Sequence, residues 1–229
     1  MESEKNNEAE IAHFVSRNLK QQYDASFSSV KVIIKKPFIV IHLQDFSFPT
    51  EAALLKRNEV KQIMETRDLL MNDWKDEVKE ELASIIDGEV EEVYADWNLD
   101  NRTGMMIALM AEKDGIELAR FPDDKTKRAL QERISLISRK TEKVPDEMEI
   151  YWLNNYMILI ERKGIMVEIE KELIKNGSEE ELRLAKRPLE HRMMETMNIQ
   201  ELLNRKLNEL FVDWDFKGDK AYMVFILEE

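Results

Sequence analysis

Four oxygen-bearing side chains recur in step along the chain: Asp96 and Asn98 in Tyr94-Ala95-Asp96-Trp97-Asn98, and Asp213 and Asp215 in Phe211-Val212-Asp213-Trp214-Asp215. Residues two apart share one face of a strand, and four such groups brought together suit a hard cation such as Mg2+ or Ca2+. The simpler reading is the solvated face of an antiparallel sheet whose other face, carrying Trp97 and Trp214, packs on helices. A second candidate is electrostatic. Arg183, Lys186, Arg187 and Arg192, with His191 among them, concentrate positive charge that could receive an acidic partner or phospholipid head groups. Glu190 and Glu195 dilute it, and an ordinary solvated helix face is again the simpler account.

Other chemistry finds little footing. His13, His42 and His191 lie on different elements without metal-ligand spacing. Ser28, Ser29 and Ser135 sit in no nucleophile elbow, and with six glycines in all there is no glycine-rich phosphate loop. The absence of cysteine removes disulfides, thiolate metal sites and a thiol nucleophile together. No catalytic residue and no cofactor is therefore expected. Thirteen methionines, Met105, Met106, Met193, Met194 and Met197 among them, read mainly as core filling.

Composition bounds the rest. With 35% charged and 43% apolar residues the chain should be soluble and globular. A formal charge of −13 repels polyanions, so nucleic acid is not an expected partner. No apolar run reaches the roughly 18 residues of a spanning helix, and the acidic opening Met1 to Tyr23 lacks a signal-peptide core. A cytoplasmic location without membrane insertion is expected, peripheral to the membrane only through a partner.

The elements that must position these residues come in two copies. Trp97 falls on Trp214 at an offset of 117, which also sets Met106, Ile107 and Leu109 on Met223, Val224 and Ile226. Val30 to Ile41 matches Met148 to Leu159 at 118 without a gap. Two units of about 110 residues follow, 1–115 and 116–229, carrying charges of −9 and −4.

In the first unit, Ile11, Phe14, Val15 and Leu19 mark an amphipathic helix over 8–22. Val30–Ile34 and Phe38–Leu43 mark a hairpin, with Pro37 predicting a loose connection and Asn154-Asn155 in the copy predicting a primed turn. One long helix is expected from Glu51 to a stop at Asp87-Gly88, then a second hairpin over 90–110. In the second unit a capped helix around Leu130, Ile134 and Ile137 is followed by a hairpin over 148–160. Helical sequence then runs over 167–210, interrupted at Asn176-Gly177-Ser178 and at Pro188, before a last hairpin over 211–227. The fold class is α+β: two α-β-β-α-β-β units, each an antiparallel four-stranded sheet with helices on one face, and with Trp97 and Trp214 at equivalent places in the cores.

The segment Phe48-Pro49-Thr50-Glu51-Ala52-Ala53-Leu54-Leu55, the helix with Val60 and Arg67, and the closing Tyr94-Ala95-Asp96-Trp97-Asn98 hairpin together resemble the MpsC-like family. The likeness covers about residues 8–112 and returns more weakly over 126–229. Pro49 and Thr50 stand in the reverse of the family's order, and Tyr23-Asp24-Ala25-Ser26 replaces its Gly-Lys-Gly-Pro-like segment. The resemblance implies a small cytosolic component of a cation-translocating, membrane-potential-generating system that in some bacteria also supports inorganic-carbon uptake. It implies partners resembling a proton-pump-like membrane subunit and a large soluble subunit, and no catalytic residues. The function expected is an accessory, protein-binding module; the alternative is a regulator that binds a small ligand or divalent metal.

Overall fold

The structure is a computed structural model, described here for residues 2–111 and 123–228. The chain divides into two compact units, Met1–Glu117 and Leu118–Glu229. The boundary expected at 115/116 lies outside the described residues.

The first unit runs α1 (Glu2–Tyr23), β1 (Ser29–Lys35), β2 (Phe38–Gln44), α2 (Glu51–Lys56), α3 (Val60–Ile86), β3 (Val90–Asn98), β4 (Thr103–Met110). The second runs α4 (Asp124–Thr141), β5 (Glu147–Trp152), β6 (Met157–Lys163), α5 (Glu168–Lys175), α6 (Glu179–Glu195), α7 (Ile199–Leu203), β7 (Leu207–Asp215), β8 (Lys220–Leu227). Each sheet is wholly antiparallel, ordered β1-β2-β4-β3 and β5-β6-β8-β7, so the two hairpins of a unit meet through their inner strands. The outer strands β3 and β7 even carry the same bulge, at Val90/Glu92 and at Leu207/Glu209.

The helices cover one face of each sheet. Ile11, Val15, Trp74, Val78 and Leu82 close over Ile39, Ile41, Ala95 and Trp97; Leu130, Ile134, Leu182 and Met194 close over Ile158, Ile160, Val212 and Trp214. Each tryptophan thus takes the core position that strand alternation assigns to it. Gly104 pairs with Trp97 in the register, and a Cβ there would lie 2.8 Å from the indole ring, so only glycine lets the ring lie across β4.

Pairing corrects the gapless match. Ser29–Gln44 and Glu147–Lys163 are equivalent pairs, as are Phe38–Leu109 and Met157–Ile226, so the offset is 118 on the first strand of each unit and 119 on the second. The extra residue sits in the turn. Lys35 pairs with Phe38 across Lys36-Pro37, whose peptide is cis, a tight turn in place of the loose one expected. In the copy, Leu153 donates to the Met157 carbonyl, and the Asn154 side chain accepts from Tyr156 and Met157 amides; this side-chain-closed loop replaces the primed turn.

Three further expectations change. The helix from Glu51 is two helices, because Asn58 adopts a left-handed conformation (φ 58°) and Glu59 and Asn58 donate back to Leu54 and Leu55, a Schellman-type stop. Pro188 does not interrupt α6; the helix carries it through. The last hairpin begins at Leu207, the start of β7, rather than at 211, and α7 ends at Leu203.

Finally, the second face of each sheet is not a solvated one. Phe38, Val40, Met105 and Ile107 are buried, as are Leu159, Phe211, Tyr222 and Val224. β2, β4 and β8 are apolar at most positions, the pattern of strands covered on both faces rather than one.

Candidate functional site

One arrangement occurs in both units and involves charged side chains out of water. In the first unit Glu51, the opening residue of α2, grips Arg67 of α3 with both carboxylate oxygens, 2.6 Å to Nε and 2.8 Å to Nη2. Nη2 also donates to the Phe46 carbonyl, and the guanidinium lies 4.7 Å and 5.4 Å from the centroids of the Phe46 and Trp97 rings. A planar, delocalised cation suits both the two-pronged carboxylate and the ring faces. The Trp97 indole N–H donates to Asp68, the residue after Arg67.

In the second unit Glu170 stands 16 residues before Lys186, the separation of Glu51 and Arg67. Lys186 Nζ lies 2.5 Å from Glu170, bonds Glu142 as well, and sits 5.5 Å from the centre of the Trp214 ring. Glu170 also reaches back to the amide of Val167 at the start of α5. The shared device is therefore a carboxylate at the head of one helix, a cation early in the next, and a tryptophan from the third strand. It pins a helix N-terminus to the core; Glu51, Arg67, Glu170 and Lys186 are each 6% exposed or less.

Around it the second unit builds a network that the first lacks. Arg162, fully buried, donates through Nη1 to Ser138 (3.0 Å), Glu142 (3.3 Å) and Glu190 (3.4 Å). Trp214 donates to Glu142, and Thr141 to Glu190. Burial alone would raise the Glu142 pKa, but the charges of Arg162 and Lys186 outweigh it and bring it below the usual range. Burial, with Glu142 beside it, pushes Glu190 up despite Arg162. Three polar atoms here, Nε and Nη2 of Arg162 and Oε2 of Glu190, are buried with no hydrogen-bond partner.

The expected interaction residues are placed as follows. Asp96 and Asp213 are buried, at 2% and 7% exposure, where alternation had put them on a solvated face. Each accepts from the amide of the tryptophan that follows, at 2.7 Å and 2.8 Å. Asn98 and Asp215, half-buried, accept from the amides of Asn101 and Gly218 and so shape the two closing hairpins. Their repeat thus has a local reason. Arg183 joins the two sets, with Nε 2.8 Å from Asp213 and its guanidinium over Phe216. Lys186 and Arg187 are buried, each 4% exposed, and Arg192 alone of the four cations is exposed. Lys186 thus turns inward onto the carboxylates of Glu142 and Glu170, while Arg192 faces solvent.

Sequence reasoning missed Glu51, Arg67, Glu142, Arg162 and Glu170. The equal spacing of Glu51–Arg67 and Glu170–Lys186 was the available signal. Among the described residues no group of three or more His, Asp or Glu is placed to hold a metal ion, and no helix is long and apolar enough to cross a membrane.

No curated protein and no solved structure matches the chain. Residues 3–112 and 123–229 each match the family described as "Na+-translocating membrane potential-generating system (MpsC)". The two matched segments coincide with the two sheets and their helices, and the chain accordingly belongs to the MpsC family as a tandem pair of its units.

Proposed function

We propose that the chain is a non-catalytic accessory module that binds, from the cytoplasmic side, a membrane complex of the Na+-translocating, membrane-potential-generating kind. The observation that carries this reading is the family match of both units. The site geometry supports it, since the charged residues retained in both copies serve to fix helices on the sheet. Inorganic-carbon uptake is the physiological setting that the family resemblance suggests. Among the residues expected to meet the partner, exposed Arg192 and the half-buried hairpin residues Asn98 and Asp215 remain accessible.

The test is recovery with membranes. A tagged chain at native abundance, in the organism that makes it, should sediment with membranes and cross-link to an integral membrane subunit. Recovery wholly in the soluble fraction, with no such cross-link, would sink the proposal.

A further inference from the structure

Two exposed helix faces, one in each unit, carry opposite charge. In this acidic chain α4 stands out as basic, with six basic and two acidic residues. Its outward stripe, Lys125, Arg128, Glu132, Leu136 and Arg139, is exposed along its length, Leu136 by 58%. Arg128, Leu136, Arg139 and Val144 border a surface groove of about 520 Å3. The outward stripe of α3 is its counterpart: Glu65, Leu69, Asp73, Glu77 and Glu80 are exposed, Leu69 by 61%. Each face carries one large exposed leucine, set among charges of opposite sign.

We propose that α4 of one copy of this chain docks antiparallel on α3 of a second copy, with Leu69 seated against Leu136 in the groove. The register follows from spacing. Counting from the leucines, Glu80 lies eleven residues after Leu69 and Lys125 eleven before Leu136, each about 16 Å along its helix axis. Glu77 and Arg128 are likewise eight residues away, and Glu65 meets Arg139 and Lys140 on the other side. One like-charged pair remains, Asp73 facing Glu132. A parallel arrangement sets Glu65 against Glu132 and leaves Glu77 and Glu80 with no basic residue opposite, because α4 ends at Thr141. The antiparallel arrangement therefore satisfies the most charge.

Each such contact joins two different patches, α3 of one copy to α4 of the other. A single helix pair covers less than the roughly 1,200 Å2 of a standard interface, so the association is weak. Ionic strength near 0.1 M suits it: a Debye length of about 10 Å screens repulsion between two acidic bodies while leaving ion pairs in contact effective.

Sedimentation of the full chain against concentration in about 0.1 M salt should show weight-average mass rising above the 27.1 kDa of the monomer. Lys125→Glu with Arg128→Glu, and separately Glu77→Lys with Glu80→Lys, should each weaken self-association by about tenfold. Mixing the two double variants should restore it, because the reversed α4 of one then meets the reversed α3 of the other. Glu132→Lys alone, which turns the one like-charged pair into an attractive one, should strengthen it severalfold. All substituted positions are exposed, and each variant should keep the circular dichroism of the parent. A parent monomeric at every concentration, a mixture no more associated than its components, or a Glu132→Lys variant no tighter than the parent would each overturn the proposal.

Discussion

The two units solve the same packing problem with different chemistry at matched positions. Ile11, Val15 and Asn18 of α1 correspond to Leu130, Ile134 and Ile137 of α4 at the 119 offset, which then sets Leu19 on Ser138 and Tyr23 on Glu142. The same offset sets Leu43 on Arg162 and Met71 on Glu190. The first unit fills this region with Leu19, Leu43, Met71 and Trp74 and keeps one ion pair, Arg67–Glu51. The second places Arg162, Glu142 and Glu190 there, all 9% exposed or less. Since sheet order and even the bulges are shared, a four-stranded scaffold of this kind accepts either a dry core or a charged one. The charged core must be closed on itself, because a buried ion left alone costs several kcal/mol.

Arg162 gives the largest expected effect. Arg162→Ala leaves Glu142 and Glu190 without their common donor and should destabilise the second unit by about 3–5 kcal/mol. Importing the first unit's residues together, Ser138→Leu with Arg162→Leu and Glu190→Met, should be neutral or stabilising by about 1–4 kcal/mol. Urea-dependent amide exchange reads β6–β8 against β2–β4 as an internal reference, which separates the units where one melting curve would not. If the triple variant were as damaged as the single, the equivalence of the two cores would fall.

The next effect probes the strand face that alternation misassigned. A solvated aspartate removed from a strand costs little, within about 0.5 kcal/mol. Asp96 and Asp213 are instead buried acceptors of a backbone amide, so alanine at either should cost about 1–3 kcal/mol. Asp213→Ala should be the worse, since it also releases Arg183. Equal and negligible losses in chemical denaturation would return both residues to the solvent.

These errors show what was legible in the sequence. The repeat, the four strands per unit and the inward tryptophans follow from period-2 runs that recur at a fixed spacing. Asn58 was missed because a helix stop made by a left-handed asparagine leaves no glycine or proline to read. Pro188 misled in the other direction: its lost bond to Leu184 did not break α6, which Lys186, Arg187 and Glu190 anchor from its buried side. Those same charges read as a solvated face because burial of lysine and arginine depends on partners such as Glu142 and Glu170, which lie on other elements. Asp96 read as solvated because alternation separates two faces of a strand without saying that both are covered.

The smallest expected effect is a slope, and it isolates the charged core from the dry one. Glu190 has its pKa raised on folding, first by burial and then by the Glu142 charge, so the folded state holds its proton more tightly than the unfolded chain does. Its contribution to stability is therefore fully present below the ordinary glutamate value of about 4.3 and is lost as pH rises through its folded value. Glu142 runs the other way. Lowered by Arg162 and Lys186, it stabilises above about 4.3 and loses that contribution as pH falls through its folded value. Glu190→Gln keeps the shape while removing the ionisation. Second-unit stability followed by amide exchange should decline in the parent as pH rises above about 4.3, and should decline less in Glu190→Gln, while the first unit keeps the same pH dependence in both proteins. A slope unchanged by the substitution would mean that burial does not hold the Glu190 proton in the folded protein.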